Sequence, residues 1–239
     1  MEMERIALIR TDFPEKFGIP RQSGLAESTI GRIVFEEPWR DERCLKGIEG
    51  FSHLWLLFGF DIPKNKRNRL TVRPPRLGGQ TEMGVFATRS PYRPNPIGLS
   101  LVRLLSVEKG GTEGPVLVVG GADLRDLTEI FDIKPYIPYA DIRTGARGGF
   151  TEDTVFPELT VEFPEELFCR LPEEKRQGAI EVLRQDPRPA YERKKDYPYV
   201  LGYAGFDICF EVRENRLIVT DMRLRSEGIK GKRNEATGA

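Results

Sequence analysis

Histidine is almost missing from this sequence: His53 is the only one in 239 residues. Imidazole is the usual proton carrier near neutral pH, so the chemistry either needs little proton transfer or recruits carboxylates and tyrosines. His53 lies in GFSHLWLLFGF, an apolar strand pattern, and reads as a hydrogen-bonded core residue. Cysteine is nearly as scarce. Cys44, Cys169 and Cys209 are odd in number and far apart, which supports neither a disulfide framework nor a zinc site; they read as buried free thiols in a reducing cytosol. No run approaches ~18 consecutive apolar residues, so no membrane span is expected. The start MEMERIALIR lacks the basic end and apolar stretch of a secretory signal, and a cytoplasmic location is the expectation. The GxGxxG, Walker A, HExxH, CxxC and GxSxG patterns are all absent, and with them the sequence signatures of several large enzyme classes.

Net charge is absent too, with 37 Lys and Arg against 37 Asp and Glu, but the charge is unevenly placed. From Lys64 to Arg103 nine basic side chains (Lys64, Lys66, Arg67, Arg69, Arg73, Arg76, Arg89, Arg93 and Arg103) face the single acid Glu82, whereas from Thr151 to Lys175 eight acids face Arg170 and Lys175. Such a distribution gives a local positive field that steers anions without making the whole protein sticky.

Apolar runs are short, rich in Val, Ile, Leu and Phe, and punctuated by Gly and Pro. Strands are expected near Arg5–Thr11, Thr29–Phe35, Leu54–Phe60, Gly84–Thr88, Leu99–Val107 and Val116–Val119, with one weak helical segment at Glu37–Leu45. Many short strands without intervening helices predict a mainly β fold, a barrel or sandwich, and argue against a doubly wound parallel sheet. A loop-like stretch near residues 145–160 divides the chain into a β-rich part at 1–150, an α+β part at 151–226 and a polar tail at 227–239. In the second part, helices are expected at Glu165–Leu171 and Pro172–Gln185, with Pro172 in the first turn. A hairpin follows, from alternating Phe206, Ile208, Phe210 and Val212 through a turn at Glu214–Asn215 to Leu217–Leu224.

Three segments look unlike scaffolding. VRPPRLGG, Val72 to Gly79, fixes Arg73 and Arg76 beside a stiff Pro-Pro pair, with two glycines that permit close approach. GVFATRSPYRPNPIGLS, Gly84 to Ser100, carries Arg89, Tyr92, Arg93 and Asn95 on a loop that three prolines make rigid. Its arginines suit a carboxylate or phosphate and its tyrosine an adenine ring. ADLRDLTEIFDIKPYIPYAD, Ala122 to Asp141, gathers Asp123, Asp126, Asp132, Lys134, Tyr136, Tyr139 and Asp141. It has no EF-hand spacing and no companion histidine, so no metal site is expected. Each segment also has a plain structural reading, as a rigid surface loop or a solvated charge network.

GIEGFSHLWLLFGF, RPPRLGG, GVFATRSPYRPNPIGLS, DIKPYIPYAD and DPRPAY, in this order, resemble the TsaA-like, TrmO-type tRNA methyltransferase family from about Ile6 to about Leu224. The resemblance implies an N-terminal β-barrel that binds S-adenosylmethionine, a smaller C-terminal α+β domain, and a homodimer. It also implies methylation of the exocyclic nitrogen of threonylcarbamoyladenosine beside the anticodon, typically in threonine tRNA. Carried onto this chain, it points to Arg89, Arg93, Asp132 and Tyr136 for catalysis. Arg73, Arg76, Arg89, Asn95, Asp123 and Lys134 fall to the cofactor. The basic run Lys64, Lys66, Arg67 and Arg69, with Asp186, Arg188 and Tyr191 of DPRPAY, falls to the anticodon loop. One turn departs from the family: its DGTP-like sequence reads DLTE here, Asp126 to Glu129, so a reshaped loop is expected there.

The residues agree with this picture. A β-rich domain without GxGxxG does not hold the cofactor as a Rossmann enzyme does, and methyl transfer from a sulfonium chiefly demands in-line positioning. Two other functions fit the patterned arginines: an RNA-binding barrel that senses S-adenosylmethionine without catalysis, and a small-molecule methyltransferase. The basic run Lys64–Arg76 argues against the latter, since a small neutral substrate needs no such field.

Overall fold

The computed structural model describes residues 3–152, 158–189 and 197–225. Strands β1 (Ala7–Arg10), β2 (Ile30–Phe35) and β3 (His53–Gly59) are followed by a small ribbon of β4 (Thr71–Val72) and β5 (Met83–Gly84). Then come β6 (Ile97–Glu108), β7 (Val116–Gly120) and β8 (Thr128–Pro135). Six of these close into a barrel in the order β1-β2-β7-β6-β3-β8, every neighbouring pair antiparallel. Closure removes the unpaired edges that an open sheet would expose.

Strand periodicity decides what fills it. In β3, Leu54, Leu56 and Phe58 point inward and are buried, while His53, Trp55 and Leu57 alternate outward. Ile9, Ile33, Leu54, Leu56, Leu117 and Ile130 have no exposed surface, each side chain contributing roughly 1.5–3 kcal/mol. Gly98 of β6 lies opposite Phe58, where a β-carbon would overlap the phenyl ring. The sequence reading did not anticipate β8, because its outward positions are polar and its apolar signal is diluted.

Two other expectations change. Gly84–Thr88 is not a strand: only Met83–Gly84 pair, and Val85–Ala87 form a 3-10 turn whose Val85 N–H donates to Leu70 O at 3.0 Å. The helical segment at Glu37–Leu45 contracts to a 3-10 turn, Glu42–Leu45, capped by the Asp41 carboxylate. All three cysteines are free, but Cys44 and Cys169 are exposed and Cys209 is partly so, since the first two sit on short surface turns. His53 is half-buried on the outer barrel wall, with Nδ1 2.9 Å from Ser52 Oγ, rather than in the core.

After a single turn, α1 (Pro138–Asp141), the second part of the chain forms β9 (Thr160–Glu162), α2 (Glu165–Phe168), α3 (Glu173–Arg184), β10 (Tyr199–Tyr203), β11 (Phe206–Arg213) and β12 (Arg216–Leu224). The sheet order is β10-β11-β12-β9, with β9 parallel to β12. The β11–β12 hairpin turns through Glu214 at φ 54°. Pro172 is the N-cap of α3 rather than its first residue, and the helix buries Ala179, Val182 and Leu183. The tail at 227–239 lies outside the described residues, as does Ser226. Among the described residues no helix is long and apolar enough to cross a membrane.

The β1–β2 connection leaves the barrel and packs on the second sheet. Phe13 meets Tyr203 at a 5.7 Å ring separation and shares a core with Ala26, Leu183 and Phe210. Lys175 Nζ pairs with Asp12 Oδ2 at 2.7 Å, and the Ser28 N–H and hydroxyl donate to the Glu181 carboxylate at 2.8 and 2.7 Å. Burial raises the Asp12 carboxyl above its ordinary value despite Lys175. Burial would raise Glu181 as well, but the Ser28 and Gln177 donors hold it below.

Candidate active site

A cleft of about 2340 Å³ opens where this connection, the loops of the ribbon and the second sheet meet. Its lining comes from four stretches: residues 16–22 between β1 and β2, the ribbon and following loop from Arg69 to Tyr92, residues 148–151, and Pro187–Pro189 beyond α3. Among the described residues, the charged groups lining it are Lys16, Arg21, Arg69, Arg73, Arg89 and Arg188 against Glu82 alone. Converging cations beside one carboxylate focus a positive field into the cleft.

The arginines differ in how they are held. Arg89 is exposed, and its guanidinium donates to Gln22 Oε1 at 2.5 Å. Arg73 is exposed and pairs across the ribbon with Glu82 at 3.2 Å. Arg69 lies 5.4 Å over the Tyr92 ring, and its backbone N–H donates to Tyr92 O. These groups can turn to an anion at small cost. Arg93 is different: its guanidinium donates to the carbonyls of Val85 and Thr88 at 3.4 and 3.3 Å, so it braces the loop. Arg188 is buried, its Nε 2.8 Å from Asp186 Oδ1. Asp186 is buried too, with φ 51°, and Arg21 reaches the carbonyls of both residues at 3.4 Å. The Asp186–Arg188 loop is thus a fixed wall of the cleft.

Asp123 accepts from the Ser100 hydroxyl at 2.5 Å and from the Ser23 N–H, with the Arg89 charge nearby. Burial dominates and pushes its carboxyl above the ordinary value. Asn95 is exposed just before β6, and its carbonyl accepts from the Ile97 N–H at 2.8 Å.

Arg93, Asn95, Asp123, Asp132, Lys134 and Tyr136 are not among the residues that line the cleft. Asp132 lies opposite Leu57 and Lys134 opposite Trp55, so the strand period places them on the outer barrel wall. There Lys134 and Asp132 neutralise each other at 2.9 Å, and Tyr136 packs near Trp55 and His53. Lys64, Lys66 and Arg67 belong to an exposed turn after β3, where Arg67 is tied to Ile62 O at 3.0 Å. The side chain of Arg76 and the whole of Tyr191 lie outside the described residues. Sequence reasoning missed Lys16, Arg21 and Gln22, which reach the cleft only through the long-range packing of the β1–β2 connection. It also passed over Phe86 within a motif it had singled out.

Comparison with known proteins bears on this geometry. The tRNA-methyltransferase O N-terminal domain matches residues 8–142 and the TrmO C-terminal domain residues 157–225. The tRNA (adenine(37)-N6)-methyltransferase of Escherichia coli is 43% identical over 221 residues, 89% of this chain and 94% of its own length. RcsF of Pseudomonas aeruginosa, provisionally named an S-adenosylmethionine-dependent methyltransferase, is 45% identical over 195 residues, 79% of this chain and 82% of its own. The crystal structure of TrmO from P. aeruginosa superposes with a TM-score of 0.73 at 34% identity, covering 94% of this chain and 97% of that one. Both parts of the chain, the barrel and the smaller sheet, are accounted for, and the protein belongs to the tRNA-methyltransferase O family.

Proposed function

We propose that this protein methylates the exocyclic N6 of threonylcarbamoyladenosine at position 37, beside the anticodon, in threonine tRNA. As a member of its family it is an S-adenosylmethionine-dependent tRNA methyltransferase. The observation that carries an RNA acceptor is the cleft itself, where exposed arginines and aromatic surface meet. An anionic backbone with an unstacked base calls for that combination.

The cleft also fits the cofactor. At about 2340 Å³ it has room for a nucleoside and an RNA base together. Val72, Met83 and Tyr92 offer apolar surface to a purine, and Arg73 would hold an amino-acid carboxylate in exchange for Glu82. When bound, S-adenosylmethionine supplies a methyl group on a positively charged sulfur, open to direct displacement.

The remaining work belongs to the chain. Arg89 would grip the threonine carboxylate through its guanidinium fork, orienting N6 for in-line attack. The carbamoyl group delocalises the N6 lone pair and acidifies its proton, so no histidine is needed. Asp132 and Tyr136 lie off the cleft of their own chain, so neither is assigned the acceptor's proton. The outer wall carrying them continues into Ile97, 37% exposed, and Leu99, 50% exposed. We assign this apolar wall to a homodimer contact, and a monomer by sedimentation at micromolar concentration would remove that assignment.

Nucleoside mass spectrometry tests the acceptor. Threonine tRNA incubated with protein and S-adenosylmethionine should gain one methyl group on threonylcarbamoyladenosine and none when the threonylcarbamoyl group is missing. Equal methylation of plain adenosine would overturn the proposal.

A further inference from the structure

Phe86 lines the cleft and is 79% exposed. A phenyl side chain gains by burial, yet this one is held out by a hydrogen-bonded turn. Val85 beneath it is buried, and the Thr88 N–H and hydroxyl both return to Val85 O, at 3.2 and 2.8 Å. Arg93 clamps the same turn through two carbonyls and places its guanidinium 5.9 Å from the Phe86 ring centroid. The ring is therefore pre-positioned, cation-backed and open. Around it, Arg69, Arg73 and Arg89 line the same cleft. A ligand that combines flat apolar faces with a negatively charged backbone is a single-stranded nucleic acid, recognised by stacking and phosphate contacts together.

We propose that Phe86 is the stacking platform for a nucleobase of the tRNA loop that flanks the methylated one. Arg93 acts through it as a positioning residue. The inference rests on the tRNA reading above and adds to it how the substrate strand is held open.

The test uses the full chain and an anticodon stem-loop carrying 2-aminopurine beside the target base. Phe86→Ala should weaken RNA binding about tenfold and abolish quenching of the 2-aminopurine. The slope of log K against log salt should match wild type, because no phosphate contact is removed. Phe86→Tyr should restore affinity and quenching, whereas Phe86→Leu, of similar apolar area, should not. S-adenosylmethionine affinity, melting temperature and sedimentation should be unchanged in all three variants.

Wild-type binding by Phe86→Leu would mean simple apolar contact and overturn the stacking role. So would a tenfold loss of S-adenosylmethionine affinity, which would give the ring to the cofactor, or a shift in oligomeric state, which would give it to a second copy. If wild-type protein transfers methyl to tRNA and Phe86→Ala is equally able, the platform fails alone. If wild-type protein neither binds nor methylates tRNA, the tRNA reading falls and the platform with it.

Discussion

The cleft and the frame behind it are built on opposite terms. In the frame, polar groups are paired inward: Asp12 with Lys175, Ser28 with Glu181, and aliphatic side chains fill the barrel. In the cleft, Arg89 and Arg73 stand in solvent with one uncharged and one exposed acidic partner, and Phe86 faces outward. The frame has the interactions that stabilise folding, and the cleft has groups whose best partners are not in the chain. Substitutions in the cleft should therefore alter chemistry and leave stability alone, while substitutions in the frame should do the reverse.

The largest effect is expected at Arg89. If it orients the acceptor, Arg89→Ala should lower single-turnover methyl transfer on fully modified tRNA by roughly 10²-fold, the scale of lost near-attack geometry. Thermal melts should coincide with wild type, because an exposed arginine bonded to one glutamine contributes little to folding. Arg93→Ala sharpens the contrast: it frees the carbonyls of Val85 and Thr88 and should loosen the loop along with the rate. A wild-type rate in Arg89→Ala would move the role to Arg73 or Arg76.

The same contrast explains what could be read from sequence. Closed-barrel strands such as His53–Gly59 announce themselves as short apolar runs bounded by glycine and polar residues, a local property of the chain. The loop residues Arg73 and Arg89 stood out because proline-rich segments carry their charges. Lys16, Arg21 and Gln22 did not, since the β1–β2 connection becomes a cleft wall only after Phe13 and Ala26 are buried in the second sheet. Asp132 and Lys134 sit in a conspicuous motif, yet strand pairing with Leu57 and Trp55 sends them to the outer wall. The resemblance gives Arg188 of DPRPAY to the anticodon loop, whereas folding buries it on Asp186 two residues away.

A smaller effect, and of the other kind, is expected at the junction. Glu181 accepts both the N–H and the hydroxyl of Ser28 and the Gln177 amide. Glu181→Ala leaves those donors without their acceptor and should destabilise by about 2 kcal/mol, with methyl transfer per folded molecule unchanged. The pH dependence has a definite sign. The folded carboxyl titrates below its ordinary value of 4.5, so its contribution is present above that value and is lost as pH falls through the folded one. Denaturation of wild type and variant should differ at pH 7 and converge on acidification. A gap that persists unchanged to pH 3 would show that the ionised carboxylate is not what Ser28 needs.

The smallest effect is expected at the DLTE turn, where the frame carries a strain of its own. Leu127 has φ 62°, the left-handed region that a β-carbon disfavours. The DGTP-like turn of the family resemblance has glycine at this place, and here the backbone is left-handed with leucine. Neighbouring bonds enforce it: Leu127 N–H donates to Ile9 O, Asp126 N–H to Phe13 O, both at 2.8 Å, and Thr11 N–H to the Asp126 carboxylate at 3.0 Å. The leucine side chain is 45% exposed, so its removal forfeits little burial. Leu127→Gly should therefore stabilise the protein by about 0.5–1 kcal/mol, the relief of strain exceeding the extra freedom that glycine gives the unfolded chain. Leu127→Ala removes the same side chain and keeps the β-carbon, so it should show no gain. Denaturant midpoints of the two variants at constant m-value decide the matter: equal shifts would trace the effect to the lost side chain, and only a glycine-specific gain supports backbone strain. Neither variant should change methyl transfer, because the turn lies outside the cleft lining.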